Sequence, residues 1–225
     1  MVIQPDYERE RLGMVSWQIA ARGIRDQRLL EAMRRIPRHR FVPANCHAVA
    51  YDDRPLPIGF GQTISQPYII ALMTELLHLK GGEKVLEVGT GSGYQAAILA
   101  CLVNEVHTIE LQPELAERAR LVLNELGFAN ITVHQGDGSE GLIGYAPYGG
   151  ILVTAAAPLA PQPLLDQLAI DARMVIPVGS FTGQYLQVWT HTNEGVDYES
   201  LAPVAFVPLR GAHGWSEDDW YTNII

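Results

Sequence analysis

The chain has 225 residues and a formal net charge of −9, and 48% of its residues are hydrophobic. The acidic balance argues against nucleic acid or an anionic membrane surface as the main partner. The apolar fraction is enough for one packed core and excludes disorder as the default state.

Residues 5–22 read as a helix with Leu12, Val15 and Ile19 on one face, and Gly23 stands where a helix-ending glycine belongs. Asp6, Glu8, Arg9, Glu10 and Arg11 interrupt any apolar leader, and no apolar run reaches membrane-spanning length. A cytoplasmic protein, read as a monomer, is the expectation. Asp26 can N-cap a second helix carrying Leu29, Met33 and Ile36, which Pro37 stops. Over residues 43–62 the periodicity dissolves, and Pro55, Pro57, Gly59 and Gly61 mark a long loop of the kind that often carries function. Cys46 and Cys101 have neither CxxC nor Cys/His ligand spacing, which points to buried free thiols, with one disulfide between them as the alternative. Residues 66–79 then read as a largely buried helix, apolar through Ile69, Ile70, Leu72, Met73, Leu76 and Leu77, and Gly81-Gly82 ends it.

Strands and helices alternate from there. Strands are expected at 85–88, 106–109, 131–134 and 151–154, with helices at 95–103, 113–126 and 161–168 between and after them. The tail differs: 173–178, 185–191 and 204–207 look like strands with little helix between them. The order predicts an α/β fold with a mostly parallel twisted central sheet, helices on both faces, an antiparallel C-terminal finish and an N-terminal helical extension. One domain spans 1–225, with a helical and loop cap over 1–60 and a Rossmann-like core over 61–225. No internal repeat is visible.

The chemistry concentrates after the 85–88 strand. Gly89-Thr-Gly-Ser-Gly93 leads directly into a helix, a geometry that brings backbone N–H groups and a helix N-terminus to a ligand. Gly91-Ser92-Gly93-Tyr94-Gln95-Ala96 satisfies the loose dinucleotide pattern, with Glu110 at about the ribose-binding distance, so NAD stays open on this match alone. Two acids shift the balance. Glu87 precedes the glycines where a pyrophosphate site favours no charge, and Asp137 ends the third strand between Gly136 and Gly138. Three acids at successive strand ends suit S-adenosyl-L-methionine, which carries a cation, a ribose diol and an adenine amino group but no phosphate. Glu110 would accept from the ribose, Asp137 from the adenine amino group, and Glu87 would lie near the aminoacyl end.

Segments on both sides of the loop carry a family resemblance. Gly59-Phe-Gly-Gln-Thr-Ile-Ser-Gln-Pro-Tyr68 and Val85-Leu-Glu-Val-Gly-Thr-Gly-Ser-Gly-Tyr-Gln-Ala-Ala97 closely resemble the protein-L-isoaspartate O-methyltransferases. So do Ile36-Pro-Arg-His-Arg-Phe-Val-Pro43, Tyr51-Asp-Asp-Arg-Pro-Leu-Pro-Ile-Gly59, Gly136-Asp-Gly138, Ala146-Pro-Tyr148, Val153-Thr-Ala-Ala-Ala-Pro158, Val175-Ile-Pro-Val-Gly179 and, near the end, Phe206-Val-Pro-Leu209 with His213-Gly-Trp215. The chain departs from that pattern at Gly149, where an acid is usual, and at Asp171-Ala172, where a Gly-Gly turn is common.

The resemblance implies a Rossmann-like S-adenosylmethionine-dependent methyltransferase. Its reaction would methylate the free carboxylate of L-isoaspartyl and D-aspartyl residues in damaged proteins, and S-adenosyl-L-homocysteine would be the product. The methyl ester then expels methanol to a succinimide that can reopen to aspartate. The resemblance places Ser65 as the active-site residue, although Ser65 is also well placed to N-cap the helix that follows it. The glycine loop, the acids and the resemblance together put the cofactor against Gln62, Thr63, Ile64, Ser65, Glu87, Gly89, Thr90, Gly91, Ser92, Glu110, Leu111, Asp137 and Gly138. The seven histidines show no metal spacing, and no metal is expected. Trp220 reads as packing, whereas Trp215 is open between packing and closure over the site. A small acid or an ordinary aspartate in a dedicated peptide is the alternative acceptor. A binding protein that kept the fold would be expected to lose Glu110, Asp137 or Ser65, and all three are present.

Overall fold

Two short helices begin the fold: α1 (Tyr7–Gly13) and α2 (Gln27–Arg35). The computed structural model describes residues 6–222, so Pro5, the expected start of the first helix, lies outside the described residues. Asp6 caps α1 through a bond from the Arg9 N–H, and Asp26 caps α2 through bonds from Arg28 and Leu29. Past Gly13 the chain widens into a π-helical turn, Met14–Ile19, and tightens into a 3₁₀ turn that Gly23 ends at φ 106°. The change of turn re-phases the apolar stripe. Met14, Val15 and Ile19 are buried, while Leu12, expected on the same face, is 41% exposed.

The stretch expected to be irregular holds a 3₁₀ turn, Ala44–Val49, and then a β-hairpin, β1 (Leu56–Gly59) with β2 (Gln62–Ile64). Its tip is Phe60-Gly61, both at positive φ (54° and 70°), a turn whose twist suits paired strands. The hairpin delivers Gln62 to Ser65 to the start of α3 (Pro67–Leu76), which ends three residues earlier than expected. His78 takes φ 54° just beyond it.

The core follows as β3 (Lys84–Val88), α4 (Tyr94–Ala100), β4 (Glu105–Glu110), α5 (Pro113–Glu125), β5 (Ile131–Gln135), β6 (Gly150–Val153), α6 (Gln162–Asp166), β7 (Arg173–Ser180), β8 (Gly183–Thr192) and β9 (Gly195–Val204), with α7 (Glu217–Thr222) after it. The sheet order is β5-β4-β3-β6-β7-β8-β9. Pairings from β5 through β7 are parallel, and β7-β8-β9 is an antiparallel meander. The chain leaves β3 in one direction and returns to its other side at β6, so a crevice opens above those two strands at their C-terminal ends. The last strand is a correction. It covers Gly195–Val204, not 204–207, because this edge strand is mostly exposed, Tyr198 and Leu201 included, and keeps no sustained apolar alternation.

Two departures from the family pattern have local explanations. A Cβ on Gly149 would sit 2.8 Å from the Glu83 side chain, so the acid usual there has no room. Asp171 itself adopts the left-handed turn at φ 62°, in place of a glycine.

On β4 and β5, His107 Nδ1 meets His134 Nε2 at 3.0 Å while His107 Nε2 meets Glu105 Oε1 at 3.0 Å, and the Tyr145 ring lies 4.2 Å from the His107 ring. Burial lowers the pKa of both histidines below the ordinary 6.5, and for His134 the His107 charge adds to it. The unfolded chain therefore binds more protons in acid, so the contribution is intact above pH 6.5 and is lost as pH falls below it. The melting temperature should drop between pH 7.5 and 5.5, and by less in His107→Asn; equal drops in thermal melts of the two proteins would contradict this origin.

Candidate active site

The crevice above β3 and β6 is shaped first by glycine. Gly89 leaves β3 at φ 94°, and a Cβ there would lie 2.3 Å from Thr154 Oγ1. Thr154 uses the space to donate its hydroxyl to the carbonyls of Gly89 at 2.6 Å and Val88 at 3.0 Å. Gly91 and Gly93, at φ 53° and 87°, carry the chain over the strand end and into α4. Apolar side chains, among them Ile70, Met73, Val88 and Ile109, line the cleft beside these polar groups.

Most of the expected site residues come together here. Gln62, Thr63, Ile64 and Ser65 from β2 and its exit, Gly89 to Ser92 from the glycine loop, Glu110 and Leu111 from the end of β4, and Gly138 all line one cleft. Glu110 accepts from the N–H groups of Gly91 at 2.8 Å and Gln112 at 3.0 Å, one on each carboxylate oxygen. Its orientation is therefore set by the backbone before any ligand arrives.

Two expected residues do not line it. Glu87 is fully buried beneath the glycine loop, in a chain that runs from Thr90 Oγ1 to Thr108 Oγ1 at 2.6 Å and on to Glu87 Oε2 at 2.5 Å. Its other oxygen makes no hydrogen bond. Burial pushes its pKa up to about 8, and the charge of Glu110 adds to the rise against the opposing Thr108 bond, so at neutral pH it is mainly the neutral acid. Asp137 points to the C-terminal segment instead. It accepts from Ser139 Oγ at 2.6 Å, Ser139 N at 2.9 Å and Ala212 N at 2.6 Å. Burial raises its pKa, but those bonds outweigh burial and hold it below the ordinary carboxylate range.

Ser65 is not the helix cap. The cap position of α3 falls on Gln66, and no side chain bonds from it to the helix. Asp53 does that work from a distance, accepting from the Tyr68 N–H at 3.1 Å and the Gln66 side-chain amide at 2.8 Å. Ser65 thus lines the cleft with its hydroxyl uncommitted to α3. A second cleft, lined by Pro55, Gln66, Ile69 and the extended Pro203–Val207 stretch, shares Thr63, Ser65, Thr154 and Val207 with the first. Sequence reasoning missed Thr154 and Val207 to Arg210 as site residues. Thr154 and Val207 to Leu209 lie in segments that carry the family resemblance, and that was the available signal; Arg210 lies just outside them. Trp215 and Trp220 are buried against Ala156, their rings 5.7 Å apart, so both are packing residues. Cys46 is buried, but Cys101, expected buried, is exposed. Among the described residues no group of three or more His, Cys, Asp or Glu side chains could hold a metal ion, and no helix is long and apolar enough to cross a membrane.

Comparison with known proteins identifies relatives over nearly the whole chain. The sequence profile of the protein-L-isoaspartate(D-aspartate) O-methyltransferase family (PCMT) matches residues 10–214. The protein-L-isoaspartate O-methyltransferase of Roseiflexus sp. (strain RS-1) is 51% identical, over 95% of this chain and 97% of the relative. That of Methanoculleus marisnigri is 54% identical, over 92% and 94%. A solved protein-L-isoaspartate O-methyltransferase superposes with a TM-score of 0.83 at 26% identity, covering 91% of this chain and 67% of its own. A Plasmodium falciparum beta-aspartate methyltransferase (PCMT), solved in complex with S-adenosyl-L-homocysteine, shares the fold at a TM-score of 0.78 and 24% identity, over 89% of this chain and 98% of its own.

The protonated state of Glu87 has a measurable consequence. Its contribution to stability is full below pH 4.5 and is lost as pH rises toward about 8, since the unfolded carboxyl ionises first. Glu87→Gln keeps a neutral side chain of the same shape, so its stability relative to the parent chain should grow between pH 5 and 8 in urea titrations. A constant difference across that range would refute the neutral carboxyl.

Proposed function

Because the chain belongs to the protein-L-isoaspartate(D-aspartate) O-methyltransferase family, we propose that it transfers a methyl group from S-adenosyl-L-methionine to the free carboxylate of L-isoaspartyl, and of D-aspartyl, residues in damaged proteins. One observation carries the reading: two clefts meet at Thr63, Ser65, Thr154 and Val207. A donor in one and an acceptor in the other would confront each other at that junction. The product ester then loses methanol as the neighbouring amide nitrogen attacks its carbonyl, and the resulting succinimide can open to normal aspartate.

The residues of the first cleft fit the donor. Glu110 is oriented by two backbone N–H groups and keeps lone pairs for a ribose diol. The missing Cβ of Gly89 and the positive φ of Gly91 let the backbone approach closely. Leu111, Ile109 and Val88 supply an apolar wall for an adenine ring. Asp137 supports this end by holding the Ala212 main chain, and Gly138 supplies the cleft surface. Neutral Glu87 acts one step back, fixing Thr90 through Thr108. S-adenosyl-L-methionine, when bound, supplies a methyl group already activated by its sulfonium.

The remaining work is alignment. An acceptor carboxylate is ionised at neutral pH and needs no general base. Ser65, with its hydroxyl free of α3 and the helix N-terminus beside it, is the group we assign to grip that carboxylate. Effective molarity from such positioning is worth about 7–11 kcal/mol of barrier. The low net charge on the cleft walls suits a reaction in which an anion and a cation become two neutral groups. A cytoplasmic location and a monomeric state complete the proposal.

Methyl incorporation from labelled S-adenosyl-L-methionine into an isoaspartyl peptide, with base-labile methanol release, is the direct test; an aspartyl peptide of the same sequence should be inert. Equal incorporation into both would favour a general carboxylate acceptor. Ser65→Ala should cut kcat/KM for the isoaspartyl peptide about 10- to 100-fold, the range for one hydrogen bond to a charged group, with an unchanged melting temperature. Glu110→Gln should instead raise the donor KM about tenfold or more. Wild-type kinetics in either variant would remove that residue from its role.

A further inference from the structure

Arg38 is the largest fully buried side chain of the described residues and has 0% exposure. Its Nε donates to the Ala50 carbonyl and its Nη2 to the Ser65 carbonyl, each at 2.8 Å, and Nη1 makes no hydrogen bond. Its Cζ lies 5.1 Å from the ring centroid of Tyr94, the residue that opens α4 directly after the glycine loop. Among the described residues no carboxylate forms an ion pair with it. Burial lowers its pKa to about 10, which leaves it a cation at neutral pH.

A lone guanidinium is a costly way to fill space, because an apolar side chain of similar volume would avoid the desolvation penalty. What arginine adds is a rigid planar fork that reaches two carbonyls at once while lying against a ring. Here the fork joins three separate segments: the 3₁₀ turn that ends near Ala50, the exit of β2 at Ser65, and the foot of the donor loop at Tyr94.

We infer that Arg38 is a positioning residue for methyl transfer, which braces the Ser65 main chain against Ala50 and Tyr94 and so sets the acceptor grip relative to the donor cleft. The inference rests on the role assigned to Ser65 above. Arg38 lines neither cleft, and the chemistry explains why a cation stays behind the wall. A cation touching the acceptor would stabilise its full negative charge more than the diminished charge of the transition state, and so would slow the transfer. Holding Ser65 by its carbonyl gives the geometry without that penalty. In-line displacement is sensitive to it, since a misplacement of about 1 Å costs on the order of 100-fold in rate.

The test uses the full chain with Arg38→Lys, Ser65→Ala and the double variant, measuring kcat and KM for an isoaspartyl peptide and, by calorimetry, the Kd of S-adenosyl-L-homocysteine. Arg38→Lys keeps the charge but loses the fork, and its kcat should fall about 10- to 100-fold. The Kd of S-adenosyl-L-homocysteine should stay within about threefold, and the double variant should be no slower than Ser65→Ala within the same margin. Arg38→Gln, which can still serve one carbonyl, is the second variant if Arg38→Lys does not fold, with the same expected pattern. Additive losses in the double variant, or a parallel loss of S-adenosyl-L-homocysteine affinity, would make Arg38 a general brace and overturn the inference. Wild-type kcat in Arg38→Lys beside an impaired Ser65→Ala overturns it alone. Wild-type kcat in Ser65→Ala removes the role of Ser65, and the inference with it.

Discussion

Thr154 leans over the end of β3 and places its hydroxyl on the Gly89 carbonyl, a contact that exists only because Gly89 lacks a Cβ. The Thr154 N–H bonds the Val88 carbonyl at 2.9 Å in the same place. Together these bonds lock β6 to β3 where the strand order reverses. A side chain at position 89 would force the two strands apart or turn Thr154 away, and either change reaches both clefts, because Thr154 lies in each. The glycine loop, the Glu110 carboxylate that it orients and the β2 exit facing it all take their positions from that seam.

The electrostatics of the site follow a consistent rule. Acids are present, but each is satisfied by the protein or neutralised by burial. Glu110 is gripped by two N–H groups, Asp137 by Ser139 and Ala212, and Glu87 holds its proton. Among the described residues the one deeply buried arginine or lysine, Arg38, sits behind the wall. An enzyme that made charge during its reaction would need preorganised dipoles aimed at the new charge. An enzyme that consumes charge is better served by restraint, and the wall between two clefts is built in that manner.

Much of this was legible in the residues. The parallel strands announce themselves as short, largely apolar runs such as Val85-Leu86-Glu87-Val88, and the caps at Asp26 and Gly23 act where helix chemistry expects them. The hairpin at 56–64 was not legible, because Pro57, Gly59 and Gly61 read as loop and its pairing is closed by a turn at Phe60, a residue that rarely accepts positive φ. The edge strand β9 was misplaced because exposure on an edge leaves little apolar alternation to read. For the acids, sequence spacing correctly located the strand ends but not the direction each side chain takes. Ile109 and Val88 crowd Gly138, whose Cβ would lie 2.6 Å from Val88 Cγ1, so the chain turns there and Asp137 faces Ala212. Only tertiary packing contains that information.

The tie between Asp137 and the Ala212 N–H, together with the bond from the His213 N–H to Ser139 Oγ at 3.0 Å, joins residues more than seventy positions apart. Val207 to Arg210, the part of the cleft wall carried by this segment, comes after every strand of the sheet in the chain. The same segment is seated at its other end by main chain alone, the Ala156 N–H on the Val207 carbonyl and the Leu209 N–H on the Ala156 carbonyl, each at 2.8 Å. One side of the cleft is therefore a strap fastened at both ends, separate from the sheet that it closes.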